Sequence, residues 1–241
     1  DKVVIGVEDN KRNGIDAMNK VIAEQKAPVV VEPLRCRYPQ GGEKQLCQAI
    51  TGKQVPPGGL PSNIGCAVFN INTTCAIYRA ITQGMPVVHK IVTVSGSGVV
   101  EPKNVECPIG TPVSCLFDFC GGLKEGTYKL IAGGPMMGIA VPDTADPILK
   151  ANNAVLALEK FVSPKSTACI HCGRCVHACP LRLMPTEIAK AFRQEDSEAL
   201  GKLKVTLCMN CGCCTYACPA KRPVAETNQL AKAFYMSSIK K

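Results

Sequence analysis

The sequence predicts an α/β fold in three successive parts: a parallel β-α-β unit over residues 1–87, a small α+β module over 88–152, and a helical, cysteine-rich region over 153–241. Three observations carry this expectation. Apolar runs alternate with helix-period segments in the first part, short strands surround a single short helix in the second, and a cysteine run recurs after 39 residues in the third.

In the first part, Val3 to Val7 is a short apolar strand and Glu8-Asp9-Asn10-Lys11 a polar turn. Ile15, Met18, Val21 and Ile22 then share one helix face, and Pro28 to Leu34 is a second strand. After it, Gly41-Gly42 leads into a helix that ends near Gly52, a loop-then-helix arrangement suited to a ligand. The Pro/Gly-rich stretch Val55 to Pro61 is a structured loop, because proline fixes φ and glycine supplies turns. A strand from Cys66 to Phe69 and a helix from about Thr73 to Gln83 follow, the helix stopped by Gly84 and Pro86.

The second part opens with a strand from Val88 to Val94, turns at Ser95-Gly96-Ser97-Gly98, and has a short helix from Thr111-Pro112 to Gly121-Gly122 and a strand from Lys129 to Ala132. Val141 to Lys150 reads as a linker to Ala154-Val155-Leu156-Ala157-Leu158 and the cysteine-rich region. There, Pro185 to Arg193, Asp196 to Leu203 and Pro223 to Met236 form helices, with Pro185 in a first turn and Val224, Thr227, Ala231 and Phe234 on one face.

Composition narrows the function. With 241 residues, 46% hydrophobic and 20% charged, the chain is long enough to bury real cores, which excludes disorder and collagen-like repetition. No apolar run reaches the roughly 18 to 20 residues of a membrane-spanning helix, and the opening residues lack the shape of a secretory signal. The chain starts without Met inside an expected strand, so residues are expected upstream of Asp1. Residues 161–241 hold 12 Lys+Arg against 5 Asp+Glu and supply most of the formal net charge of +9. No zinc-finger spacing, aromatic stacking motif or continuous basic helix accompanies that charge, so no nucleic-acid partner is expected. The charge suits an acidic protein partner instead.

The strongest signal lies in the cysteines. Of 16, eight fall at one spacing in two runs: Cys169, Cys172, Cys175 and Cys179-Pro180, then Cys208, Cys211, Cys214 and Cys218-Pro219. Both runs are C-x2-C-x2-C-x3-C-P, the ligand run of a bacterial 4Fe-4S cluster, in which the fourth cysteine ligates the other cluster. Cys169, Cys172, Cys175 and Cys218 are thus expected to hold one cluster, and Cys208, Cys211, Cys214 and Cys179 the second. Structural zinc is the bland alternative, but it prefers two separated Cys pairs around a tetrahedral ion. Cys213 is expected to be a small side chain near the second cluster. His171 and His177 are expected at the surface, with a hydrogen bond to sulfur as their alternative. Cys36, Cys47, Cys66, Cys75, Cys107, Cys115 and Cys120 show no ligand spacing and are expected in apolar packing.

One-electron clusters beside a β-α-β unit raise the question of a flavin, the usual converter between hydride and single electrons. Tyr38 to Leu46, the Val55 to Pro61 loop, Gly133-Gly134-Pro135-Met136-Met137-Gly138 and the doubled cysteine run occur in this order in the RnfC family of Rnf electron-transport complexes, which the chain resembles over nearly its whole length. The resemblance implies a Rossmann-like domain of the complex I flavoprotein type, present in part, then a β-grasp module of the SLBB kind, then a helical ferredoxin domain with two 4Fe-4S clusters. It implies FMN and NAD(H) as further cofactors, with Gly41, Gly42, Glu43 and Lys44 lining the dinucleotide and flavin pocket and Asn70 and Thr73 beside the flavin. The family's Gly-rich flavin loop would lie upstream of Asp1. The implied activity is electron exchange between NADH and ferredoxin, coupled by other subunits to Na+ or H+ movement, and the implied location is peripheral, at the cytoplasmic face of the cell membrane. Two alternatives stand beside it: a flavin and iron-sulfur cobalamin reductase, and a flavin-free electron-relay or docking module.

Overall fold

The computed structural model of the chain describes residues 2–161 and 164–239, so Asp1, where the first predicted part begins, lies outside it. Strands β1 (Val3–Glu8) and β2 (Val29–Leu34) flank helix α1 (Arg12–Gln25) and pair in parallel from Val3↔Val29 to Glu8↔Leu34. Helix α2 (Glu43–Thr51) starts at Gly42 and stops at left-handed Gly52. It lies directly on β1, where a Cβ at Gly6 would stand 2.9 Å from a Leu46 methyl and 3.0 Å from one of Leu34. A short 3-10 helix (Pro61–Ile64) precedes α3 (Ile71–Gln83), whose first turn is capped by Asn70 Oδ1 accepting from the Asn72 N–H at 2.9 Å.

The expected strand from Cys66 to Phe69 is not formed. The Cys66 N–H closes the 3-10 turn onto the Pro61 carbonyl at 3.0 Å and Asn70 caps α3, so the residues between them only connect the two helices. This first unit is thinly buried: α1 and α3 bury no residue, and its buried apolar side chains include Leu34 and Cys47.

The middle of the chain forms a five-stranded sheet from β3 (His89–Ser95), β4 (Lys103–Pro108), β5 (Thr127–Ala132), β6 (Ile139–Ala140) and β7 (Ala154–Glu159), in the order β4-β3-β7-β5-β6. Strands β3 and β7 run parallel and the other pairings are antiparallel. Helix α4 (Val113–Phe119) covers one face, putting Leu116 and Phe117 in a core with Val92 and Val94 of β3, Val105 of β4 and Val155 and Ala157 of β7. Gly96 takes φ 114°, and a Cβ there would overlap the Ala157 carbonyl, so only glycine fits between β3 and β7.

The sheet corrects the expected division at residue 152. Ala154 to Leu158 belongs to the central strand of the middle module, not to the cysteine-rich region. Val155, Leu156 and Ala157 are all buried, as in a strand covered on both faces, and such a run carries no alternation to name its neighbours.

The last part is helical. Helices α5 (Arg174–His177), α6 (Pro185–Arg193) and α7 (Ser197–Lys202) are followed by a 3-10 turn (Val205–Leu207), α8 (Cys213–Tyr216) and α9 (Val224–Ser238). Asp196 caps α7 by accepting from the Ala199 N–H at 2.9 Å. Helix α6 packs on α9 through Ile188, Ala191 and Ala231, and Phe192 meets Phe234 edge to face with ring centres 5.9 Å apart.

The position of β7 generates a prediction. A fragment of residues 88–152 lacks the central strand and is expected to show no cooperative thermal transition by circular dichroism, while one of residues 88–161 melts cooperatively.

Candidate metal centres

The two cysteine runs fold alike. His171 and Asn210 are both left-handed (φ 53° and 55°), as are Gly173 and Gly212 (72° and 80°) and Arg182 and Lys221 (53° and 52°). Members of each pair are 39 residues apart, and so are the starts of α6 at Pro185 and α9 at Val224. The sequence repeat is therefore a structural repeat that runs through both loops into the helices behind them. Positive φ at His171, Arg182, Asn210 and Lys221 is uncommon for non-glycine residues, and its recurrence at matching positions shows that the two runs follow one backbone course.

Each loop closes on a cavity. One is lined by Cys169, Cys172, Cys175 and Cys218. The other is lined by Cys179, Cys208, Cys211 and Cys214, and by Cys213 as a fifth. Each thus brings the first three motif cysteines of one run together with the last motif cysteine of the other. Cys175, Cys214 and Cys218 pack together with Ala220, Val224 and Ala225, an apolar wall shared by the two sites. Among the described residues, no three Cys, His, Asp or Glu side chains converge at the spacing of a single metal ion. Thiols set around a cavity suit a polynuclear cage with one thiolate per iron.

The thiols sit in surroundings that oppose charge. Burial pushes Cys214 up to about 12, and burial together with the neighbouring Cys211 pushes Cys213 up to about 11. Burial also raises Cys175 and Cys208. Backbone N–H groups work the other way, those of Val176 and Cys175 on Cys175, of Thr215 and Cys214 on Cys214, and of Asn210 on Cys208. The same amides would stabilise thiolates once iron had displaced the protons. Lys232 adds positive charge beside Cys208 and donates to its carbonyl at 2.7 Å.

Sequence reasoning missed Asn228. It is 2% exposed in the wall of the Cys208 cavity, and its Oδ1 has no hydrogen-bond partner. The unpaired atom is an acceptor, so a bound group or water bearing a donor would satisfy it. Its signal was present: a polar residue four after Val224 and three before Ala231, on the face that packs inward.

The glycine-pair segment meets this same site. The Tyr38 hydroxyl donates to the Cys211 carbonyl at 2.8 Å, and Gln45 Nε2 donates to Met209 Sδ at 3.3 Å. A Cβ on Gly42 would stand 2.9 Å from Met209 Cε, so Gly42 abuts the second cysteine run. Gly41 and Glu43 are exposed, Lys44 is half-buried, Asn70 caps α3 and Thr73 is exposed. The Gly41–Lys44 and Asn70–Thr73 groups thus occupy two separate helix starts, with no hydrogen bond between them among the described residues. His171 and His177 lie at the surface, and His171 edges the Cys169 cavity. Apolar packing holds for buried Cys47, Cys107 and Cys120, but Cys36, Cys75 and Cys115 are exposed and correct that expectation.

Three family models match successive stretches of the chain. Models of the Nuo51 FMN-binding domain, the SLBB domain and the 4Fe-4S dicluster domain match residues 1–79, 91–140 and 168–221. The C subunit of the proton-translocating ferredoxin:NAD(+) oxidoreductase complex of Clostridium ljungdahlii is 43% identical over 78% of this chain and 41% of its own length. The C subunit of the ion-translocating oxidoreductase complex of Rhodobacter capsulatus is 40% identical over 96% of this chain and 45% of its own. The chain thus spans less than half the length of these relatives. In fold it is similar to a chain of the NAD+-reducing [NiFe]-hydrogenase in the H2-reduced state, with a TM-score of 0.58 at 18% identity over 97% of this chain and 49% of that one.

The cavity walls generate the second prediction. Cys175→Ser and Cys214→Ser are each expected to remove or convert one cluster, lowering iron in the anaerobically reconstituted chain, while Cys115→Ser, at an exposed thiol outside both cavities, leaves iron unchanged.

Proposed function

We propose, since the chain belongs to the RnfC family of ion-translocating ferredoxin:NAD(+) oxidoreductase complexes, that it is an electron-transfer subunit with two 4Fe-4S clusters, one on Cys169, Cys172, Cys175 and Cys218 and one on Cys208, Cys211, Cys214 and Cys179. The observation that carries this reading is the pair of cavities, each walled by the first three motif cysteines of one run and the last motif cysteine of the other, with Cys213 as a fifth cysteine in the second. When bound, such clusters supply one-electron transfer and FMN converts between the hydride of NADH and single electrons.

The chain's own residues have three tasks. The eight thiols bind, and the amides behind Cys175 and Cys214 offset the cost of burying their thiolate charge. The apolar wall of Ala220, Val224 and Ala225 excludes water between the sites. Gly41, Gly42, Glu43 and Lys44, with Asn70 and Thr73, are the candidates for the flavin and dinucleotide side, where Gly42 lets backbone approach closely and the start of α2 offers unpaired N–H groups.

The partners of this reading are the other subunits of an Rnf-type complex, NADH and an acidic ferredoxin, the last favoured by the basic charge of residues 161–241. No helix among the described residues is long and apolar enough to cross a membrane. Attachment at the cytoplasmic membrane face would therefore run through partner subunits, which would also move the Na+ or H+. The names of the relatives do not favour a corrinoid reductase.

Anaerobic iron and acid-labile sulfide analysis is expected to give about eight of each per chain, and EPR of the dithionite-reduced protein a spectrum of two interacting clusters. Zinc or disulfides in place of iron would sink the proposal. Reconstitution with FMN tests the other half: flavin retained through desalting supports the NADH-linked reading, and clusters without flavin reduce this chain to a relay.

A further inference from the structure

The repeat allows the two cavities to be compared position by position, with the local backbone held constant. Ile170 is 65% exposed and His171, Cys172 and Arg174 are exposed. Their counterparts 39 residues on, Met209, Asn210, Cys211 and Cys213, are all half-buried or buried. The loops have the same dihedral pattern, so the difference comes from what covers them.

Two other parts of the chain cover the second loop. From the first unit, Tyr38 donates to the Cys211 carbonyl, Gln45 donates to Met209 Sδ, and Gly42 leaves room for the Met209 methyl. From the middle module, Met136 lies against Gly212, where a Cβ would stand 2.9 Å from Met136 Cε. The cavities differ inside as well. The second is lined by the buried amide of Asn228, whose repeat counterpart is Ala189.

We infer that the two centres are unequal: the Cys179/Cys208/Cys211/Cys214 centre is an inner site joined to the first unit through Tyr38, and the Cys169/Cys172/Cys175/Cys218 centre is an outer site that meets the redox partner. The inference rests on the reading of both cavities as 4Fe-4S sites. With 4Fe-4S clusters held by these two thiol sets, the sites would supply exchange of one electron, one centre losing what the other gains, and no bond of the chain would be made or broken. Tyr38 is a positioning residue: its bond holds the Cys211 peptide and keeps water from that edge of the inner site. Asn228 lines the inner cavity, and with its amide turned so that the N–H faces inward it would donate to a cluster sulfur; hydrogen bonds to sulfur together with solvent exposure set a cluster's potential.

The test uses the full chain with its clusters reconstituted anaerobically, as the unmutated protein and as Cys175→Ser, which keeps the inner cluster, and Cys214→Ser, which keeps the outer. A water-soluble gadolinium chelate is added and EPR relaxation of the reduced clusters is recorded. The outer cluster is expected to relax several-fold faster with the chelate and the inner one to change little, and the unmutated chain is expected to show one sensitive and one insensitive component. In redox titrations of the otherwise unmutated chain, Tyr38→Phe and Asn228→Ala should each shift the midpoint of one cluster only, the one that Cys214→Ser removes. Equal sensitivity of the two clusters, or a shift of the outer midpoint by either substitution, overturns the ranking while leaving the cluster assignment intact. A chain without iron overturns the assignment itself.

Discussion

The exchange of the fourth cysteine between the two runs is the constraint on which the rest depends. Three thiols can be delivered to a cavity by one short loop, but Cys179 and Cys218 each leave their own loop and line the cavity of the other. Neither site can therefore be complete unless both runs are folded against each other. The helices behind them answer to this: α6 and α9 start at equivalent repeat positions and pack on each other through Ile188, Ala191 and Ala231. Burial raises the Cys175, Cys208 and Cys214 thiols above their ordinary value, so an empty site holds protonated thiols and metal binding must release those protons. Because the thiols converge only in the folded chain, the free energy of iron binding adds to the stability of the helical region.

A repeat of this kind makes two similar pockets, and the surrounding chain then makes them different. Glycine at positions 42 and 212 lets the Met209 and Met136 methyls lie 2.9 Å from where a Cβ would stand, and at Gly212 the φ of 80° favours glycine as well. The motif around Tyr38 therefore has a structural use that is independent of any flavin. It ties the first unit to the cysteine-rich region at Cys211, one of the eight candidate ligands, by a hydrogen bond to the ligand's own peptide.

Much of this was legible in the sequence, for identifiable reasons. The ligand grouping follows from spacing alone, because C-x2-C-x2-C-x3-C-P fixes which thiols a single loop can deliver. Helix α6 was readable from Pro185 in its first turn, and α7 falls within the helix expected over Asp196 to Leu203. What local pattern could not carry was pairing between distant segments. Val155-Leu156-Ala157 is apolar on both faces, so nothing in it shows that it lies between β3 and β5 rather than with the cysteines that follow. Cys66 to Phe69 has strand-forming residues but no neighbouring strand to pair with among the described residues. Asn228 is a lone polar residue on an apolar face, and Gly42 pointed toward a ligand, while in the structure it lies against the Gln45 side chain and Met209.

The first unit also reaches the cysteine-rich region through side-chain contacts. Its helices α1 and α3 bury no residue among those described, and Ile77, Tyr78 and Ile81 on α3 are exposed by 42%, 63% and 79%. The hydrogen bonds from Tyr38 and Gln45 to the Cys208–Cys214 loop tie that unit to the cysteine-rich region, which has a buried core of its own. On the proposed reading, a group that ordered this loop from the cavity behind it would act on Tyr38 and Gln45 through those two hydrogen bonds, and so on the segment proposed to approach the flavin.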